Sequence, residues 1–316
     1  VTGSVPSPGT TSTSSSASTS TQRTHRYLRL AIGGTVIVVF AAILFAVPAS
    51  GWLTSISDYY YTPARNAFVG ALVAASLALL ALSGRGVERS ILDAAAVFAP
   101  LVALVPTVIA ADAIPGLDVG CAPCVPTATR PDVANGVATY LVVLAGVVVL
   151  GIVLSRAGEV AGARFSLLLG AAVFVVVLAT GIWAPEAFLA GAHLVATVVF
   201  FGLIAADAIL NAFWRTTSET PPPWMRVAYI VIAGVIVVAL LVVVGATLAA
   251  VLGPEADAAP GGIPWILVGE AVALVAFLAF WWLQTWQRWN ETDPRSLLPM
   301  GGRLPPLRVA RAAQDR

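Results

Sequence analysis

Residues 23–49 read Arg23-Thr24-His25-Arg26-Tyr27-Leu28-Arg29-Leu30-Ala31-Ile32-Gly33-Gly34-Thr35-Val36-Ile37-Val38-Val39-Phe40-Ala41-Ala42-Ile43-Leu44-Phe45-Ala46-Val47-Pro48-Ala49. A basic cluster stands ahead of an apolar run that reaches from Tyr27 to Ala49. About 20 apolar residues suffice to carry a helix across a hydrocarbon core of about 30 Å. Val47-Pro48-Ala49 has the small-residue form of a signal-peptide cleavage site. A signal h-region is only about 7–15 residues long, however, and this run exceeds that. The stretch is therefore read as a retained first membrane span with its arginine end in the cytoplasm.

Seven more runs follow the same rule, roughly at 63–83, 91–112, 135–155, 165–183, 188–213, 226–252 and 264–286. They are continuously apolar, whereas barrel strands alternate apolar and polar residues in segments of about ten. The predicted fold is all-α, a polytopic transmembrane bundle of about eight spans with both termini cytoplasmic. Fifteen of the seventeen basic residues then fall on one side. These are Arg23, Arg26 and Arg29, Arg85 and Arg89, Arg156 and Arg164, Arg215 and Arg226, and six from Arg288 onward. Only Arg65 and Arg130 face out, so the positive-inside rule selects one orientation. Trp52, Trp183 and Trp265 mark the outer plane; Trp214, Trp224, Trp281, Trp282, Trp286 and Trp289 mark the inner one.

Composition agrees: 59% of residues are hydrophobic and 10% charged, against about 45–50% and 25% in soluble domains. Every basic residue is arginine, which points to GC-rich coding and a bacterial plasma membrane. Arginines scattered over separate gaps form no basic stripe, so no nucleic-acid partner is expected. Residues 1–26 read as a disordered Ser/Thr-rich cytoplasmic tail, 27–213 as a six-span core, 214–225 as a stiff cytoplasmic linker around Pro221-Pro222-Pro223, 226–286 as a two-span addition, and 287–316 as a basic cytoplasmic tail, either disordered or loosely held on anionic lipid.

Unusual polar chemistry is densest from Ser55 to Gly70. Thr62-Pro63 forms an N-cap and first-turn pair that would start the second span. Arg65 and Asn66 then lie in its first turn, where an arginine opposes the helix dipole and requires a partner. Asp58 is the nearest candidate, with Asp112, Glu186 or a lipid phosphate behind it. Two readings stay open: an interfacial tyrosine belt with a snorkelling arginine, or a pocket for a lipid headgroup or small anion. In the sixth span His193, Thr197, Asp207 and Asn211 fall within about 40° of one another at 100° per residue. Intramembrane ionisable groups turn toward a bundle interior, and Glu270 in the eighth span is a second interior candidate. Cys121 and Cys124, in the longest outer loop, suit a loop-stapling disulfide or a redox exchange site. No cofactor or metal is expected: a bis-histidine haem lacks a second membrane histidine, and a zinc site requires more ligands than that loop holds.

The stretch Ser57-Asp58-Tyr59-Tyr60-Tyr61-Thr62-Pro63-Ala64-Arg65-Asn66-Ala67-Phe68-Val69-Gly70 resembles a motif of a functionally unassigned group of bacterial multi-pass proteins. In that group Tyr-Tyr-x-Thr leads into Arg-(Asn/Asp)-x-Phe-Val-Gly. Ala103-Leu104-Val105-Pro106-Thr107, and His193 with Phe200 and Phe201, resemble its later motifs. Ser57 and Asp58 also bear a looser similarity to ceramidase-like membrane hydrolases. That family holds a metal on several histidines, whereas this chain has one within its spans. These readings lead to an integral membrane protein that binds a lipid headgroup or small polar ligand through Asp58, Arg65, Asn66 and His193. The alternatives are an intramembrane hydrolase using His193 and Asp58, and a small-solute or proton transporter using His193, Asp207 and Glu270.

Overall fold

The computed structural model describes residues 15–83, 86–111, 113–117, 119, 123–158, 163–213, 221–252 and 263–289, with side chains from residue 22 to residue 250 and again from 263. Within these residues eight helices run in sequence: α1 Ser15–Ser50, α2 Arg65–Leu82, α3 Gly86–Leu104, α4 Arg130–Arg156, α5 Arg164–Trp183, α6 Pro185–Phe213, α7 Pro223–Leu252 and α8 Trp265–Gln287. A short 3-10 helix, Ser57–Tyr61, lies between α1 and α2. Among the described residues the only extended pairing is a bridge between Ile109 and Cys124. All helices except α3 are long and apolar enough to cross a membrane. The chain is a multi-pass membrane protein.

Local chemistry sets the helix ends. Proline, which lacks the N–H that a first turn leaves unsatisfied, opens α6 and α7 and stands second in α4. Only Ala184 separates α5 from α6, in an extended turn with φ −142° and ψ 56°. Three elements depart from the sequence reading. The first helix reaches back to Ser15, into the stretch expected to be disordered. Extending an existing helix is cheap compared with nucleating one, and His25 and Arg29 are buried against the bundle. The second begins at Arg65. Thr62 is extended there, its N–H closing the 3-10 turn on Tyr59 O at 3.1 Å and its hydroxyl accepting from Ala64 N at 3.2 Å. The third runs from Gly86 to Leu104, not over 91–112. Pro106 disfavours helical geometry in the residue before it, and the chain beyond pairs with Cys124.

That shift adds Glu88 and Arg89 to Asp93 within α3, which explains why it fails a simple apolarity test. It is nevertheless sheltered, packing against α2, α4, α5 and α6. Ala95, Ala96, Ala99 and Ala103 are buried along it, and such small residues let helix backbones approach closely. The main core draws on α1, α2, α3, α6, α7 and α8 together. The last two helices thus share a core with α1, α2, α3 and α6. The contact between α7 and α8 is close at Gly269, where a Cβ would stand 2.7 Å from Val243 Cγ2.

Both ends of the bundle are tied by polar contacts. At one, the tyrosine end, Arg65 pairs with Asp132 at 2.8 Å and Arg130 holds Glu186 through two bonds of 2.6 and 3.0 Å. The two arginines predicted to face out are thus both paired with carboxylates of another helix. At the opposite, arginine end, Arg26 bonds Trp289 O and stacks on its ring. Arg288 was read as part of a disordered tail. It is buried and pairs with Glu88 at 2.9 Å, because two charges withdrawn from water require each other. Residues 1–14 and 290–316, Arg85, Asp112, Arg215, Trp214 and the first part of the expected linker lie outside the described residues.

Candidate functional site

At the tyrosine end the chain leaves α1 through Gly51, whose φ of 71° suits a residue without a Cβ. It then turns inward instead of running along the surface. Tyr59 donates its hydroxyl to Gly51 O at 3.1 Å and accepts from Leu53 N at 3.3 Å, and Leu267 N bonds Thr54 O at 3.0 Å. Residues 55–60 are buried as a result. Tyr59 and Tyr60 therefore belong to a core and not to a surface belt.

The inward turn places two serines on the carboxylate of Glu270. Ser55 Oγ donates to Oε2 at 2.7 Å, the Ile56 N–H donates to the same oxygen, and Ser57 Oγ approaches Oε1 at 2.8 Å. On its other side Ser57 Oγ lies 2.9 Å from His193 Nε2. The second ring nitrogen, Nδ1, is 2.8 Å from Val105 O at the end of α3. Four parts of the fold converge here: the turn before α2, the end of α3, the third turn of α6 and the second turn of α8.

Proton accounting limits what this group can be. A backbone carbonyl only accepts, so His193 Nδ1 carries a hydrogen. Ser57 has one hydroxyl hydrogen and two neighbours able to accept it. If it goes to a Glu270 carboxylate, then Nε2 must donate, and the imidazole is a cation. If it goes to Nε2, the imidazole is neutral and Oε1 must carry the hydrogen. Glu270 and His193 therefore share one proton across a serine. Ser55 and the Ile56 amide suit both states, since Oε2 accepts in each.

Asp58 sits beside this group, with Thr54 Oγ1 donating to its Oδ2 at 2.9 Å. Burial first, and then the Glu270 charge, push its carboxyl up to about 7. Burial also raises the Tyr60 and Tyr61 hydroxyls. Asp58 is not the partner expected for Arg65. The arginine reaches Asp132 and the Tyr60 hydroxyl, both at 2.8 Å, and lies over the Tyr60 ring. Glu186, another proposed partner, is held by Arg130. Asn66 is exposed on α2. Of the residues read as one ligand site, Asp58, Arg65 and His193 keep separate partners, Asn66 stands apart from them at the surface, and His193 joins the Glu270 group instead. Asp207 and Asn211 lie at the arginine end with Glu88 and Arg288. Cys124 is disulfide-bonded, and Cys121 lies outside the described residues.

The sequence reading assigns no site role to Ser55, Arg29, Glu88, Gln284 or Arg288. The position of Arg29, inside an apolar run, was a usable signal for the second cluster. Among the described residues no three His, Cys, Asp or Glu side chains are grouped as a metal ion would require. Comparison with protein-family models, with curated proteins and with solved structures gives no match.

Proposed function

We propose that this multi-pass membrane protein is a proton-carrying or proton-coupled transporter whose outer-half site is the Glu270–Ser57–His193 group. The observation that supports this reading is the single Ser57 hydrogen between two acceptors at 2.8 and 2.9 Å. A buried carboxyl and a buried imidazole that exchange one proton through a hydroxyl form a proton-binding site, and ionisable groups retained inside membrane bundles mark such paths. The anion-binding reading draws less support, because the Arg65 guanidinium is already paired.

The Ser57–His193 contact also has the form of a nucleophile and its base, which favours intramembrane hydrolysis as a second reading. Two features weigh against it. The N–H groups of Ile56 and Ser57, placed to hold an oxyanion, are taken by Glu270 and by Ser55 Oγ. The nucleophile hydroxyl is also claimed by Glu270.

Proton flux in liposomes carrying a trapped pH dye tests the transporter. The intact protein should dissipate an imposed pH gradient, and Glu270→Gln should reduce the rate to that of empty liposomes. Flux that is absent in the intact protein, or undiminished in E270Q, would overturn the proposal. Covalent capture of Ser57 by a fluorophosphonate would favour the hydrolase.

A further inference from the structure

The arginine end holds a second polar cluster that the outer site does not use. Arg29 of α1 donates to Gln284 Oε1 at 3.2 Å, and Arg288 donates to Asn211 Oδ1 at 2.8 Å beside its pair with Glu88. Asn211 Nδ2 donates to the backbone oxygen of Asp207, not to its carboxyl. Asp207 itself is 0% exposed, and neither carboxyl oxygen has a hydrogen-bond partner. The Gln284 amide nitrogen and the Trp281 indole nitrogen are likewise buried without one.

A carboxylate in that position forfeits several kcal/mol of solvation with no hydrogen bond to replace it, and buried groups left in that way take up a proton. The groups facing Asp207 are Arg29 from α1, Glu88 from α3, Tyr229 from α7 and Arg288 beyond α8. Each arginine already donates to another side chain.

The position of Asp207 gives this meaning. It lies fourteen residues after His193 on α6, about 21 Å along the axis at 1.5 Å per residue. Gln284 lies fourteen residues after Glu270 on α8. Phe200 and Phe277 fall midway on the two helices, with ring centroids 5.7 Å apart, and Phe201 closes on both at 5.1 and 6.3 Å. Two polar levels in matched register are thus separated by one aromatic layer. Thr197, its hydroxyl buried and unpartnered, is the only polar side chain on α6 between them.

We propose that Asp207 is a second proton-binding station, protonated in this conformation and separated from the Glu270–Ser57–His193 site by the Phe200–Phe201–Phe277 layer. Its protonation stands independently of the transport reading; its part in a proton path rests on that reading.

Infrared spectroscopy of the full chain in nanodiscs separates the two. The spectrum should be taken about two units above the Asp58 midpoint, where that carboxyl is ionised. A carbonyl-stretch band of a protonated carboxyl should remain there, shift on deuteration and disappear in Asp207→Asn. Should D207N not fold, uniform carbon-13 labelling of aspartate in the unmutated protein should move the same band. A band that neither treatment touches overturns the protonation. Liposome flux then tests the role: D207N should lose flux while keeping the Glu270-dependent titration of His193. Flux retained in D207N, with the band lost, overturns Asp207 as a station and leaves the outer site standing. Loss of the Glu270 effect alone would instead count against the outer site.

Discussion

At the scale of single residues, the proton shared across Ser57 is open to direct observation at His193. The chain has two histidines, so nitrogen-15 histidine spectra contain one imidazole besides His25. His193 should keep a hydrogen on Nδ1 at every pH, held by Val105 O, while Nε2 gains and loses one. Glu270→Gln should end that exchange, since an amide N–H directed at Ser57 sends the hydroxyl hydrogen to a permanently neutral imidazole. Identical His193 titrations in E270Q and the unmutated protein would refute the sharing. Asp58 gives a second test. Its carboxyl ordinarily titrates at 3.8 and does so here at about 7. Between those values the unfolded chain has released the proton and the folded protein still holds it. Stability therefore falls as pH rises through this window and is level above it. The full difference is at most about 4 kcal/mol, at about 1.4 kcal/mol per unit. Asp58→Asn keeps an acceptor for Thr54 and should flatten thermal stability across the window. An unchanged slope in D58N would place the dependence elsewhere.

At the scale of elements, the Arg288–Glu88 pair clamps the end of α8 to the first turn of α3, with both side chains nearly inaccessible. Removing one partner of a buried pair costs about 3–5 kcal/mol, because the survivor stays charged and unpaired. Glu88→Ala and Arg288→Ala should each destabilise by that order, and the double variant by clearly less than their sum. Additive losses in a double-mutant cycle of unfolding would show that the two do not act on each other. Gly269→Val should cost about 1–3 kcal/mol by forcing α7 from α8. The same elements show what the sequence could disclose. Long apolar runs announced seven helices, because lipid demands them. The bounds of α3 were missed, because Glu88 and Arg89 look like a cytoplasmic gap until Arg288 and Asp93 supply their partners. Glu270 and His193 were each recognisable as interior groups. Their meeting at Ser57 was not, since it joins residues 213 and 136 positions apart and depends on how α6 and α8 pack around the turn before α2. The pairing of Arg65 was misjudged for the same reason: proximity along the chain favoured Asp58, and helix packing supplied Asp132.

At the scale of the whole molecule, α3 decides the topology. Were it a surface element that failed to cross, every later helix would run in the opposite sense. Contacts at the two ends settle its direction within the bundle. Val105 at its C-terminal end meets His193, which meets Ser57 beyond α1. Glu88 at its N-terminal end meets Arg288 beyond α8. So α3 runs parallel to α1, from the arginine end to the tyrosine end. The beginning of α1 and the end of α8 lie together, as the contact of Arg26 with Trp289 requires. From the positive-inside bias we propose that this shared end is the cytoplasmic one. Fluorescent and phosphatase reporters fused before Gln22 or after Trp289 should both report a cytoplasmic position, and a reporter in the Asp132 turn the opposite one. Fusions at the two ends reporting opposite sides would mean that α3 does not cross. The four segments that hold Glu270, Ser57, His193 and Val105 could not then face one side of the membrane, and the shared-proton site would have no place in which to form.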